Sequence, residues 1–248
     1  MSVKTVFLCF GAILLVALVP HRHGRADPPL SKFHVGEFHY ARIKYNPLPW
    51  WGGPYQQNIP PWAHDYPRAD RNFAKILAEV TQIRCDSEGY QIVSLDEDEI
   101  FKYPWTYMCE VGYLDLTPKE TVTLRAYLDR GGFVVVDDFR GDAALDHFVI
   151  EMHKVYPSRN FQELQVSHPL FQCFYSIKTL DVVPPYARHL KPKFYGLSDE
   201  KGRLQMVVNF NNDISEYWEW SDEGWMPLEL SNEAYKFGIN YVVYALTH

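Results

Sequence analysis

The segment from Thr117 to Asp138 constrains the fold most. Thr117-Pro118-Lys119-Glu120 is a capping box with proline at the first helical position, so a helix starts there. The helix is expected to run to about Arg130, where Gly131-Gly132 supplies a left-handed stop. Phe133 to Val136 follows as an unbroken apolar run and predicts a strand covered on both faces. Asp137-Asp138 ends it. A helix that feeds directly into a doubly covered strand belongs in a mainly parallel sheet with crossover helices, because a strand with one wet face would alternate instead.

The rest of the chain extends this pattern. Phe38–Tyr45 alternates and is rich in β-formers, which predicts the first strand, and Tyr90–Leu95 and Tyr103–Cys109 predict two more. Between the first strand and the helix expected over Asp70–Ile83 lies an insertion, Asn46–Pro67, rich in Pro, Gly and Trp. A connection of that length is functional or disordered in most domains, and its aromatics argue against disorder. Further helices are expected at Ala143–Val155 and Glu233–Leu246. An extended segment is expected at His168–Phe174, and a hairpin or late strands at Lys193–Leu197 and Leu204–Phe210. No repeat and no domain boundary interrupts residues 27–248, so a single three-layer α/β domain is expected.

The N-terminus has the grammar of an export signal. Lys4 precedes an almost wholly apolar run, Thr5–Pro20, and Gly24-Arg25-Ala26 offers small residues for cleavage. Residues 1–26 are therefore a signal peptide or an uncleaved membrane anchor. Either way the expected location is exported, periplasmic or tethered to the inner membrane by the N-terminus. Loss of this segment leaves 21 basic against 31 acidic residues. Such a domain is a poor match for nucleic acid, whose binding rests on neutralised phosphates. A small molecule or a protein of the cell envelope is the expected partner, and membrane contact is expected only through an uncleaved N-terminal segment. The remaining cysteines, Cys85, Cys109 and Cys173, are too few for a disulfide framework or a zinc site.

Several segments resemble a known family. They are Tyr103–Tyr107, Leu116-Thr117 with its helix, Gly131-Gly132, Asp137-Asp138, His168-Pro169 and the ending Gly238–Leu246. Over roughly residues 34–248 the chain resembles the bacterial domain-of-unknown-function 4159 family. More distantly it is similar to the trehalose-utilisation (ThuA-like) branch of the class I glutamine-amidotransferase-like fold. That resemblance implies a flavodoxin-like architecture and no particular reaction. In true amidotransferases the strand after Gly-Gly delivers a cysteine on a sharp elbow. Here Asp137-Asp138-Phe139-Arg140-Gly141 stands in that place, so thiolate chemistry has no nucleophile.

Ligands of open parallel sheets bind at the carboxyl ends of the strands. The rule selects Asp137, Asp138, Glu110, Arg140, Asn212 and Asp213, with Trp50, Trp51 and Trp62 of the insertion on the same rim. Asp137 and Asp138 point to opposite faces while the strand persists, so one faces the cleft and the other serves the local structure. Asp70 is expected to cap its helix and Cys109 to be a core thiol; His39 and Arg42 point to opposite faces of the first strand, so no joint site of the two is expected. The leading expectation is an envelope module that binds a ligand or partner at this edge. The alternative is a hydrolase or lyase on a sugar-like or amide substrate, using Asp137 or Asp138 with His168. No cofactor is expected; a divalent metal is compatible with the acids. HExxH, GxSxG and phosphate-loop patterns do not occur.

Overall fold

The computed structural model describes residues 37–49 and 59–248. The proposed export segment, Trp50 and Trp51 lie outside the described residues. Seven strands form one sheet among the described residues: β1 (Phe38–Lys44), β2 (Cys85–Ser94), β3 (Trp105–Cys109), β4 (Phe133–Phe139), β5 (Gln162–Glu163), β6 (Lys193–Ser198) and β7 (Leu204–Phe210). Their order is β2-β1-β3-β4-β7-β6-β5. The first five in that order run parallel, and β6 and β5 are added antiparallel at one side. The doubly covered run Val134–Val136 is thus a central strand, flanked by β3 and β7.

Five helices pack on the sheet: α1 (Arg68–Val80), α2 (Pro118–Asp129), α3 (Asp142–Val155), α4 (Ile214–Glu219) and α5 (Leu228–Thr247). Alternation along the strands divides the core in two. Tyr40, Tyr107, Val135 and Val207 pack against α1, α4 and α5. Ile43, Met108, Val134, Val136 and Val208 pack against α2 and α3. The capping box forms as expected, with Glu120 N–H donating to Thr117 Oγ1 at 3.2 Å and Thr117 N–H to the Glu120 carboxylate at 2.9 Å. Gly131 then takes φ 107°, which a side chain would resist. In α5, Gly238 permits close approach: a Cβ there would lie 2.4 Å from the Phe73 ring and 2.6 Å from Trp218. Among the described residues no helix is long and apolar enough to cross a membrane.

Some local expectations are corrected. The segment at 168–174 is not extended; Pro169–Phe171 is a short 3-10 turn, with His168 Nδ1 accepting from Leu170 N–H at 3.1 Å. Proline at the first turn position and a capping side chain before it favour that outcome. The short helix α4 and the two-residue β5 lie in stretches where no element was expected.

Arg42 makes a contact that its sequence neighbourhood does not announce. It sits on β1 with no exposed surface and forms a bidentate pair with Asp70 in the first turn of α1. Nε donates to both carboxylate oxygens at 3.2 and 3.0 Å, and Nη2 lies 2.6 Å from Oδ1. Asp70 therefore makes an ion pair and does not cap its helix; Pro67 holds the cap position. Burial works against the Arg42 charge, and the adjacent carboxylate outweighs it, so the guanidinium stays protonated. Breaking one side of such a pair leaves a buried charge without its partner. We expect Arg42→Met to lower the free energy of unfolding by about 3–5 kcal/mol. The double change Arg42→Met with Asp70→Leu should recover much of that loss in urea denaturation. Equal destabilisation of single and double variants would contradict the pairing.

Candidate functional site

The carboxyl ends of β1, β3, β4 and β7 converge on one rim. Chain leaving this rim turns through left-handed backbone at Asp65 (φ 62°), Glu110 (φ 51°), Asp138 (φ 49°) and Asn211 (φ 56°). Asp and Asn tolerate that region better than most residues, whereas Glu110 does so without such help. Four of the five non-glycine residues with positive φ in the described structure therefore lie on this one edge.

Arg42 fixes what stands over the rim. Its Nη1 donates to the carbonyl oxygens of Trp62 at 3.2 Å and His64 at 2.9 Å. The described end of the insertion is thereby tied to β1, and His64 is placed over the tip of β4. His64 Nδ1 lies 2.6 Å from Asp138 Oδ2 and 3.2 Å from Asp65 Oδ1. On the other side of Asp138, Arg140 Nη2 donates to Asp138 Oδ1 at 2.7 Å and reaches Asp213 Oδ2 at 3.5 Å. Asp138 has no exposed surface, while the side chains of His64 and Arg140 are 45% and 35% exposed. The aspartate expected to face the cleft directly thus meets it through these two side chains.

Asp137 does a different job. Its carboxylate accepts from Tyr107 Oη at 3.1 Å, Asn209 Nδ2 at 3.1 Å, and the backbone N–H groups of Ile214 and Ser215 at 3.0 Å each. It anchors the first turn of α4 under the sheet edge. Asp213 caps the same helix by accepting from Glu216 N–H at 3.0 Å. Ser215 Oγ donates toward Asp65 Oδ2 at 2.7 Å and receives the Tyr107 hydroxyl at 2.7 Å. The four-residue pattern Asp213–Glu216 is an acid-type helix start. It is the sequence signal by which α4 could have been found.

Charge is unbalanced here. Burial, then the nearby Glu110 and Asp65 charges, push Asp138 well above the usual carboxylate range, against Arg140. Burial and the charges of Asp138 and Asp65 do the same to Asp213. For His64, burial opposes the imidazolium, but Asp65, Asp213 and Glu110 outweigh it and raise its pKa. The cluster therefore holds protons more tightly than its members would in water. His64, Asp65, Asp138 and Asp213 also bring one ligand atom each within 4.8 Å of one another, a set of one nitrogen and three oxygens that suits a divalent ion.

His64 and Asp65 open onto a cleft of about 670 Å³, whose other walls include Tyr66, Tyr186, Glu216, Glu219, Trp220 and Trp225. A second hollow of about 530 Å³ lies beside Glu110, Arg140 and His147. Of the predicted residues, the structure brings together Asp138, Arg140 and Asp213, with Glu110 at the edge. Trp62 packs partly buried against the core and offers its carbonyl, not a stacking face, to Arg42. Asn212 is buried, and neither of its amide atoms finds a hydrogen-bond partner among the described residues. His168 is far from this group in the fold: it packs on Tyr244, whose ring neighbours Phe133 at the opening of β4. The proposed partnership of Asp137 or Asp138 with His168 is thus not assembled, and His64 stands where that histidine was expected. Cys109 lies beside Arg42 but is buried, and burial pushes its thiol well above the ordinary value.

A family model described as "Domain of unknown function (DUF4159)" matches residues 39–246. The chain belongs to this family. No curated protein matches the DUF4159 chain.

The proton affinity of the cluster fixes a pH dependence. A carboxyl whose folded pKa is raised binds more protons in the folded than in the unfolded state, so stability falls as pH rises above its unfolded value of about 4. His64, also raised, contributes stability that is present below about pH 6.5 and is lost as pH climbs through its folded pKa. We expect stability to decline from about pH 4 upward, and Asp138→Asn to flatten the slope. Asp137→Ala should cost about 3 kcal/mol or more, because it strands buried donors. Chemical denaturation at several pH values checks both; an unchanged slope in Asp138→Asn contradicts the assignment.

Proposed function

We propose that this chain is a ligand-binding α/β module whose carboxyl-edge cleft supports general acid–base chemistry through His64, a hydrolase or lyase acting on a small polar substrate. One observation carries the reading: a fully buried Asp138 holds Nδ1 of a half-exposed histidine at 2.6 Å. With Nδ1 engaged, Nε2 is the ring nitrogen left for a ligand or a water, and the buried carboxylate stabilises the imidazolium formed when it takes a proton. Arg140, on the other side of the same carboxylate, lines the second hollow and steadies Asp138 from there.

The parallel order β2-β1-β3-β4-β7 supports a flavodoxin-like reading of the sheet, with the switch of direction between β1 and β3. Asp138, at φ 49° on the tip of β4, then occupies the elbow where an amidotransferase carries cysteine. We also infer export to the cell envelope from the apolar run Thr5–Pro20 and the small residues after it.

A generic activated ester tests the base. p-Nitrophenyl acetate should be hydrolysed at a rate that rises with pH through the titration of His64, above its ordinary 6.5. His64→Gln should lower that rate by about a hundredfold. A His64→Gln protein as active as the wild type would contradict the reading.

The fourfold convergence at His64, Asp65, Asp138 and Asp213 favours a second reading, in which a divalent ion occupies the cluster and activates water there. Titration with Mn²⁺ or Zn²⁺ would then raise the melting temperature saturably in the wild type and not in Asp213→Asn. Wild-type stability indifferent to these ions would eliminate it.

A further inference from the structure

The half of the cleft beyond His64 has a distinct chemistry. Its walls are aromatic and its floor is acidic. Trp225 is 69% exposed and stacks on Trp220 at 4.5 Å with planes 16° apart. Trp220 is in turn steadied by Arg68, whose guanidinium lies 4.8 Å from the ring centre. The Arg68 charge is already met by Asp222 at 2.8 Å and Glu223 at 2.6 Å, outside the cleft lining. Tyr186 stands opposite the acids and donates its hydroxyl to Glu216. The two tryptophans thus form a braced platform, with a large apolar surface held in water.

The acids lack compensation. Asp65, Glu216 and Glu219 each bring a carboxylate oxygen within 4.8 Å of the others. Asp65 is engaged by Ser215 and His64, and Glu216 by Tyr186. Among the described residues the half-buried Glu219 carboxylate makes no hydrogen bond or ion pair. Among the described residues His64 is the one side chain lining this cleft that can carry positive charge, and it is committed to Asp138 and Asp65. A neutral ligand would leave the repulsion among three carboxylates in place. An anion would add to it. A cation with apolar substituents would relieve it and would also cover the indole face, where a cation gains from the ring quadrupole.

We propose that the cleft between Trp225, Tyr186, Glu216 and Glu219 is a subsite for an organic ammonium group, the charged end of the ligand on which His64 acts. This rests on the cleft being the ligand site; the role of His64 as a base is separable from it. Burial, then the charges of Asp65 and Glu216, with His64 and Arg68 opposing, push Glu219 up to about 7. An ammonium ligand should therefore bind more tightly as pH rises through that value.

Choline and its carbon isostere 3,3-dimethyl-1-butanol, which differ in charge at nearly equal shape, give the test. Calorimetric or NMR titration of the full chain should show choline binding at least tenfold tighter than the isostere. Trp225→Ala, which removes an exposed side chain and leaves the core intact, should weaken choline about fivefold or more. Glu219→Gln should weaken it and flatten the rise with pH. His64→Gln should still bind choline, so loss of ester hydrolysis with retained binding separates the two proposals. Equal affinity for choline and the isostere, preference for methyl glucoside over choline, or no saturable choline binding would each overturn the subsite.

Discussion

The guanidinium of Arg42 is the constraint from which the site follows. It is buried on the second strand of a parallel sheet, where an unpaired charge is untenable. Asp70 answers it from α1, and the donors that Asp70 leaves free reach the carbonyls of Trp62 and His64 and the sulfur of Cys109. One side chain thus ties together β1, β3, the first helix and the loop that delivers His64. A loop held this way presents its histidine over the tip of β4 at a fixed height. Hydrophobic contact alone specifies such a position poorly, because it is non-directional.

The two adjacent aspartates at that tip show how one strand end serves fold and function together. Asp137 faces the side shared with Tyr107 and Val135 and is filled by four donors, two of them from the start of α4. Asp138 turns out through left-handed backbone into a place where charges of one sign collect. The first builds the wall that carries Asp213, Glu216 and Glu219; the second holds the histidine against that wall. The acids cost stability by crowding like charges together, and positive charge placed among them lessens that cost. Sites that are tuned for ligands commonly show this local debt.

The sheet was legible in the sequence because its signals are local. The capping box at Thr117, the double glycine and the apolar run Phe133–Val136 predicted α2 and the central β4 correctly, and the rule of strand carboxyl ends pointed to Asp138, Arg140 and Asp213. What stayed hidden depends on contacts distant in sequence. Arg42 and Asp70 are 28 residues apart, and nothing in either neighbourhood announces the pair. His64 and Asp138 are 74 apart, and no local pattern links the insertion to the tip of β4. Alternation on β1 suggested that Arg42 and His39 could not share a site, which said nothing of what Arg42 meets alone. The exposed stack of Trp220 and Trp225 follows α4, a helix whose one local signal is the Asp213–Glu216 start, while Trp50 and Trp51 lie outside the described residues.

The tautomer of His64 tests the central claim most directly. Nitrogen-edited NMR of imidazole-labelled protein should show Nδ1 protonated and hydrogen-bonded on the side of Asp138, with Nε2 titrating above the ordinary histidine value. Conversion to a histidine that titrates normally, with no protected Nδ1 proton, should follow when Arg42 is replaced in a background that stays folded. A wild-type His64 that already carries its proton on Nε2 and titrates like a free imidazole would contradict the account, since neither the clamp nor the buried carboxylate would then be acting on it.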